Sequence, residues 1–216
     1  MAQVKVVENI LKANDQIAFQ NRLALDKHKT VAVNLMASPG AGKTSLVMRT
    51  IEALRGRVRV GAVDGDTASQ IDADRIATTG IPVIQINTGG GCRLDANMLQ
   101  SALPQLALDE IDLLLIENVG NLVCPAGLQL GERASVVISS IPEGDDKPYK
   151  YPNIFVKVDV VVINKIDLLP YLDFDLDAFK ALVKGLNPTV RIFELSCKTG
   201  EGIAAWADWL VEMCAL

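Results

Sequence analysis

The sequence predicts an α/β fold of three layers, a mostly parallel β-sheet covered by helices on both faces. Three observations predict it. From Thr30 onward, strand-like and helix-like segments alternate, a pattern that builds parallel sheets. The apolar runs IDLLLIENV and VDVVVIN are short and rich in Leu or β-branched residues, as strands buried on both faces are. At 216 residues, half of them hydrophobic, the chain is long enough for one α/β domain with a sizeable core.

The elements follow in order. Residues 1–29 read as an N-terminal amphipathic helix, with Val4, Val7, Leu11, Ala18 and Leu25 roughly on one face. Such a helix packs on the flank of the domain, or serves as an arm to a partner or a second copy. The domain proper is expected over 30–216. Strands are expected at 31–36, 58–64, 82–86, 111–117, 135–139, 159–164 and 190–195. Helices are expected at 43–54, 69–79, 95–106, 175–186 and 202–213. The segment PEGDDKPYKYP, 142–152, reads as the clearest long loop, exposed and mobile, because it holds three prolines and dense charge. Ligands of such a fold sit beyond the carboxyl ends of the strands.

Charge narrows the partners. The net charge is −5 and the pI about 5.0, which argues against nucleic acid, whose phosphate backbone calls for a basic surface. Nothing at the start reads as a signal peptide, and no apolar run reaches the roughly 18 residues of a spanning helix. The four cysteines, Cys92, Cys124, Cys197 and Cys214, form no CxxC pair. Reduced thiols in the cytoplasm, with no membrane partner, are the expectation.

The strongest local signal is ASPGAGKT, residues 37–44, between a strand and a helix. Gly40 and Gly42 let the backbone curl, so that the N–H groups of Pro39–Ser45, apart from proline's missing one, and the helix N-terminus face a phosphate. Ala41 and Ser45 complete that cradle. Lys43 reaches the β- and γ-phosphates and Thr44 offers its hydroxyl to Mg²⁺. Ala37 stands where the pattern usually begins with glycine. The second signal is NKID, Asn164–Asp167, at a strand end. The Asp167 carboxylate can accept N1–H and the exocyclic amine of guanine, a donor pair that adenine lacks. Lys165 lies along the base and Asn164 braces the loop. The third is SCKTGEG, 196–202, in which Ser196, Cys197 and Lys198 resemble the S-A-K loop of GTPases, whose backbone N–H meets guanine O6, with Cys197 as a small buried residue in the alanine position.

Carboxylates complete the site. Glu117 at a strand end can hold Mg²⁺, and the Gly120 N–H can meet a γ-phosphate. The run DGDTASQIDADR, 64–75, holds four aspartates, of which Asp66 and Asp72 are expected to approach Mg²⁺ unless they merely charge the following helix. The ligands expected are thus GTP or GDP with Mg²⁺, and Lys43, Thr44, Asp66 and Glu117 are the candidate catalytic residues. No glutamine is placed to orient an attacking water, so slow intrinsic hydrolysis is expected, on the order of 10⁻⁴–10⁻² s⁻¹.

These motifs, with VDGDTASQIDADRI, TGGGCRLDA, IENVGNLVCPA, KYP and NKIDLLPY, resemble the hydrogenase nickel-incorporation GTPases, the HypB family, over residues 5–214. The resemblance implies a P-loop NTPase of the SIMIBI type and a nickel metallochaperone that forms a GTP-dependent homodimer. Its partners would be a small nickel-binding hydrogenase maturation protein and the precursor of the hydrogenase large subunit. It also implies an interface metal site on Cys92 and Cys124 for Ni²⁺ or Zn²⁺. Arg93 stands where the family pattern has histidine, and an arginine does not ligate metals. Two thiolates from each of two protomers would still make a tetrahedral set, with Arg93 lowering the thiol pKa values. Neither a cysteine-rich N-terminal motif nor a histidine-rich stretch is present, so nickel storage is not expected. Two alternatives stay open: a nucleotide-gated interaction protein that has lost the metal site, and a urease-maturation-type GTPase. An ATP-dependent small-molecule kinase would keep the P-loop but has no use for NKID and SCK.

Overall fold

The computed structural model describes residues 6–67 and 69–215. The elements run α1 (Val6–Lys27), β1 (Val31–Ala37), α2 (Lys43–Leu54), β2 (Val60–Asp66), α3 (Ile71–Ala77), β3 (Val83–Asn87), α4 (Ala96–Ala102) and β4 (Leu113–Glu117). They continue with β5 (Ala134–Ser140), α5 (Lys147–Lys150), α6 (Pro152–Lys157), β6 (Val160–Asn164), α7 (Leu176–Leu186), β7 (Arg191–Glu194) and α8 (Ile203–Cys214). The seven strands form one sheet in the order β3-β2-β4-β1-β5-β6-β7, and every pairing is parallel.

Strand alternation decides the layers. Val33, Leu35 and Ala37 of β1 face a core shared with Leu46 and Ile51 of α2, Ile76 of α3 and Trp206 and Leu210 of α8. Ala32 faces the other side, where Leu25 of α1 and Leu99 of α4 pack. Met36 faces a third cluster with Ile154 and Phe155 of α6 and Phe179 and Val183 of α7. Full burial on both faces explains the apolar runs of β4 and β6, each of which ends on a single polar residue, Glu117 or Asn164.

Two expectations need correction. The buried face of α1 is Asn14, Ala18, Asn21 and Leu25, whereas Leu11 is exposed. Asn14 bonds to the backbone of Ala96 and Gln129, and Asn21 to the carbonyls of Ala96 and Leu130. The polar half of this face escapes an apolar periodicity. Val4 lies outside the described residues, as does the side chain of Val7. The segment 142–152 is not an exposed loop. A 3₁₀ turn at Ile141–Glu143 leads into α5 and α6, each with a proline in its first turn, where that residue is preorganised for the helix. Pro148 is buried, and Lys147 is held by Glu143 and by the Ser38 hydroxyl at 3.1 Å each.

Candidate functional site

The carboxyl ends of β1, β2, β4 and β6 open on one edge of the sheet, and the loops beyond them build two adjoining clefts. The first, of about 550 Å³, lies between the turn 39–45 and the ends of β2 and β4. Pro39, Gly40, Gly42, Lys43, Thr44 and Ser45 line one side of it. Asp66, Asp72 and Glu117 line the other, with Gly120 across from Pro39. Ala41 is buried behind the turn, its carbonyl bonded to Asn164. The turn requires positive φ at Gly40 and Gly42, +79° and +103°. A Cβ on Gly42 would also collide with the Asn164 carboxamide.

The carboxylates there sit in a poor dielectric. Glu117 is buried and accepts the Thr44 hydroxyl proton at 2.7 Å through Oε1, while Oε2 has no hydrogen-bond partner. Burial pushes its pKa up to about 7, against the opposing pull of Thr44 and Lys43. Asp64 stands beside it across the β2–β4 pairing, buried and with Oδ2 likewise unpartnered. Its pKa is raised to about 6, first by burial and then by Asp72 and Asp66. Asp66 Oδ1 accepts from the Ser69 N–H at 2.8 Å. Two buried carboxylates, Asp64 and Glu117, thus each keep an oxygen without a hydrogen-bond partner, beside the Thr44 hydroxyl. Asp64 was not singled out from the aspartates of its run. Its neighbour Glu117 is 53 residues away in sequence, and only the strand pairing joins them.

The second cleft, of about 300 Å³, is lined by Gly42, Ser45, Asn164, Lys165, Asp167, Cys197 and Lys198. Asn164 Nδ2 donates to Ala41 O at 2.9 Å, and its Oδ1 accepts from Lys165 N and Cys197 N at 2.7 and 3.2 Å. Lys165 takes the left-handed conformation, φ 63°, and its ammonium donates to Gly40 O at 2.7 Å. The Ser196 hydroxyl donates to one oxygen of Asp167 and accepts from the N–H groups of Lys198 and Thr199. Burial raises the Cys197 thiol to about 11, which keeps it a neutral packing group. Arg49 of α2, unmarked by any motif, ties the loop down through the carbonyls of Cys197 and Lys198 at 2.7 and 3.2 Å. The two clefts share Gly42, Ser45 and Lys165, so one ligand with a base and a phosphate chain can fill both.

Cys92 and Cys124 meet at a third place. Their side chains are close enough to perturb one another's ionisation, although 32 residues separate them in sequence. Both are free thiols. Arg93 Nη1 donates to Cys124 O at 3.0 Å, and Asn121 Oδ1 accepts from Val123 N and Cys124 N. The Cys124 thiol is pushed up, not down as Arg93 alone would have it. The hydrogen bond with Cys92 raises it, and the pull of Arg93 is the smaller effect. Among the described residues, no three or more His, Cys, Asp or Glu side chains gather into a metal-binding group. No helix of the described residues is long and apolar enough to cross a membrane.

Residues 30–194 match the family model for the CobW/HypB/UreG nucleotide-binding domain. The hydrogenase maturation factor HypB of Escherichia coli strain K12 is 43% identical over 219 residues, spanning all of this chain and 76% of that protein. The crystal structure of the hydrogenase maturation factor HypB from Archaeoglobus fulgidus is 43% identical, with a TM-score of 0.88 over 94% of this chain and 99% of that one. That of HypB from Helicobacter pylori in complex with nickel is 35% identical, with a TM-score of 0.90 over 94% and 95%. This chain is therefore a GTPase and a member of the CobW/HypB/UreG family, of its HypB hydrogenase-maturation branch.

Proposed function

We propose that the chain is a GTP-switched nickel metallochaperone for [NiFe]-hydrogenase, with Cys92 and Cys124 as its cargo site. The observation that carries this reading is the proximity of those two thiols, with Cys124 on the loop whose Val119 and Gly120 line the first cleft. The nickel complex of the Helicobacter pylori relative supports the choice of metal. In this reading Lys43 binds the β- and γ-phosphates. Thr44, Asp66, Asp72 and Glu117 hold Mg²⁺, and the Gly120 N–H reads the γ-phosphate. Asp167 reads the guanine edge, Lys165 covers the base, Asn164 braces the loop and the 196–198 backbone meets O6. Hydrolysis is slow, and GTP favours a homodimer in which two thiolates per protomer form a four-sulfur site for Ni²⁺ or Zn²⁺. The N-terminal helix, described over Val6–Lys27, packs on the GTPase domain that follows it. A small nickel-binding maturation protein and the hydrogenase large-subunit precursor are the proposed partners, in the cytoplasm.

Equilibrium dialysis of the wild type and Cys92→Ser against Ni²⁺ and Zn²⁺ tests the site. Loss of bound metal in the variant is expected, and equal binding by both proteins refutes it. A second reading is a nucleotide-gated interaction protein without a cargo metal. Arg93 favours it, since that side chain is engaged with the Cys124 carbonyl and supplies no ligand.

A further inference from the structure

We propose that Asn118 is the positioning residue that couples the phosphate cleft to the cysteine pair. This rests on the cargo-site reading above and names how nucleotide state would reach it. Asn118 follows Glu117 directly, and Val119 and Gly120 beyond it also line the phosphate cleft. Its carboxamide is almost wholly buried and makes three hydrogen bonds. Oδ1 accepts from Leu94 N and from Val119 N, both at 2.9 Å, and Nδ2 donates to Asn34 Oδ1 at 3.1 Å.

Leu94 lies two residues beyond Cys92 and one beyond Arg93. One side chain thus fixes the segment that carries Cys92 and the segment that leads to Cys124. Its lower anchor is rigid. Asn34 sits in the middle of β1, three residues before the phosphate-binding turn begins, and donates to Glu132 Oε1 at 3.2 Å. Glu132 is held in turn by the Ser135 hydroxyl and the Leu130 N–H, at 2.8 and 2.7 Å. The upper ends are closed by Arg93 on Cys124 O and by Asn121 on Cys124 N.

A shift of residues 117–120 toward a γ-phosphate and its metal therefore moves Asn118 and pulls on Leu94 N. The two cysteines cannot keep their spacing unless that hydrogen bond yields. Coupling of this kind is reciprocal, so metal on the thiols must alter nucleotide preference by the same factor. A buried amide with three partners and no slack suits that task, because packed interiors transmit displacement instead of absorbing it.

The test is the ratio of Ni²⁺ affinities measured with Mg²⁺–GDP and with a non-hydrolysable GTP analogue, in the wild type and in Asn118→Ser. Serine keeps an acceptor for Val119 N but is too short to span to Leu94. A wild-type ratio of about 5–150 is expected, falling to within about twofold of unity in the variant. The same ratio in both proteins overturns the inference. Amide hydrogen exchange of residues 92–96 on replacing GDP by the analogue, with no Ni²⁺ present, separates the two claims. If Ni²⁺ does not bind Cys92 and Cys124, the cargo reading fails. The Asn118 link then still requires nucleotide-dependent protection at Leu94 in the wild type and its loss in Asn118→Ser. Equal protection in the wild type with either nucleotide overturns the link.

Discussion

Asn164 is bonded to Ala41 through its amide, Nδ2 to backbone oxygen at 2.9 Å, and so one side chain fastens the base loop to the phosphate loop. The same side chain accepts from Cys197 N, which brings in the 196–198 loop as a third partner. Truncating it strips three backbone groups of their partner at once. Asn164→Ala should lower stability by about 1–3 kcal/mol, the usual cost of orphaned buried polar groups, and weaken GTP and GDP together. Denaturant unfolding and titration with a fluorescent GDP measure the two effects. A loss for one nucleotide only would show that Asn164 acts on the phosphates and does not brace the loops.

Asp167 offers a sharper test of base recognition. Ser196 holds one of its oxygens, so the other is presented to the cleft with a fixed aim. In Asp167→Asn the oxygen can stay on Ser196, and the amide then faces the base as a donor. Guanine presents a donor there and xanthine a carbonyl. GTP affinity should fall by about 10³-fold or more, and XTP should become the better ligand, because a polar site rejects a mismatched partner strongly. Competition binding of GTP, XTP and ATP reads this directly. An unchanged preference for GTP would remove Asp167 from the base site.

Glu117 makes the cleft sensitive to pH. Its pKa rises from 4.5 in the unfolded chain to about 7 in the folded one, and Asp64 moves the same way, from 3.8 to about 6. Between those limits the native state holds more protons than the unfolded one, so stability of the nucleotide-free protein falls as pH rises from about 4.5 to 7. Mg²⁺ must displace the same protons, and its affinity should rise about tenfold per pH unit below 7 for each proton released. Melting temperatures from pH 5 to 8, with and without Mg²⁺, measure both trends. Glu117→Gln should flatten them and weaken Mg²⁺ binding, and an unaltered pH profile in that variant would assign the effect elsewhere.

Much of this was readable before any coordinates. The alternation from Thr30 gave the layers and the sheet, whose seven strands all pair in parallel. The turn 37–44 and the NKID and SCK loops are where their motifs placed them, because each carries its own backbone requirement, such as positive φ at Gly40 and Gly42. Asp64 and Asn118 were not legible as site residues. Their importance comes from partners 53 and 24 residues distant, Glu117 and Leu94, and from burial that strips water from them. The helices within 142–157 were missed because prolines and charges read as loop, although a proline in the first turn of a helix costs nothing.

Local chemistry, then, was settled by the sequence itself. The turn at 37–44 and the loops at 164–167 and 196–202, and that a sheet would carry them, depend on short-range steric and hydrogen-bonding rules that a few adjacent residues satisfy alone. The tertiary structure decided what distant residues do to one another. It put Cys92 against Cys124 and set the direction of the Cys124 shift by that neighbour more than by Arg93. It also buried Glu117 beside Asp64, where loss of solvent raises the two carboxyls to about 7 and about 6.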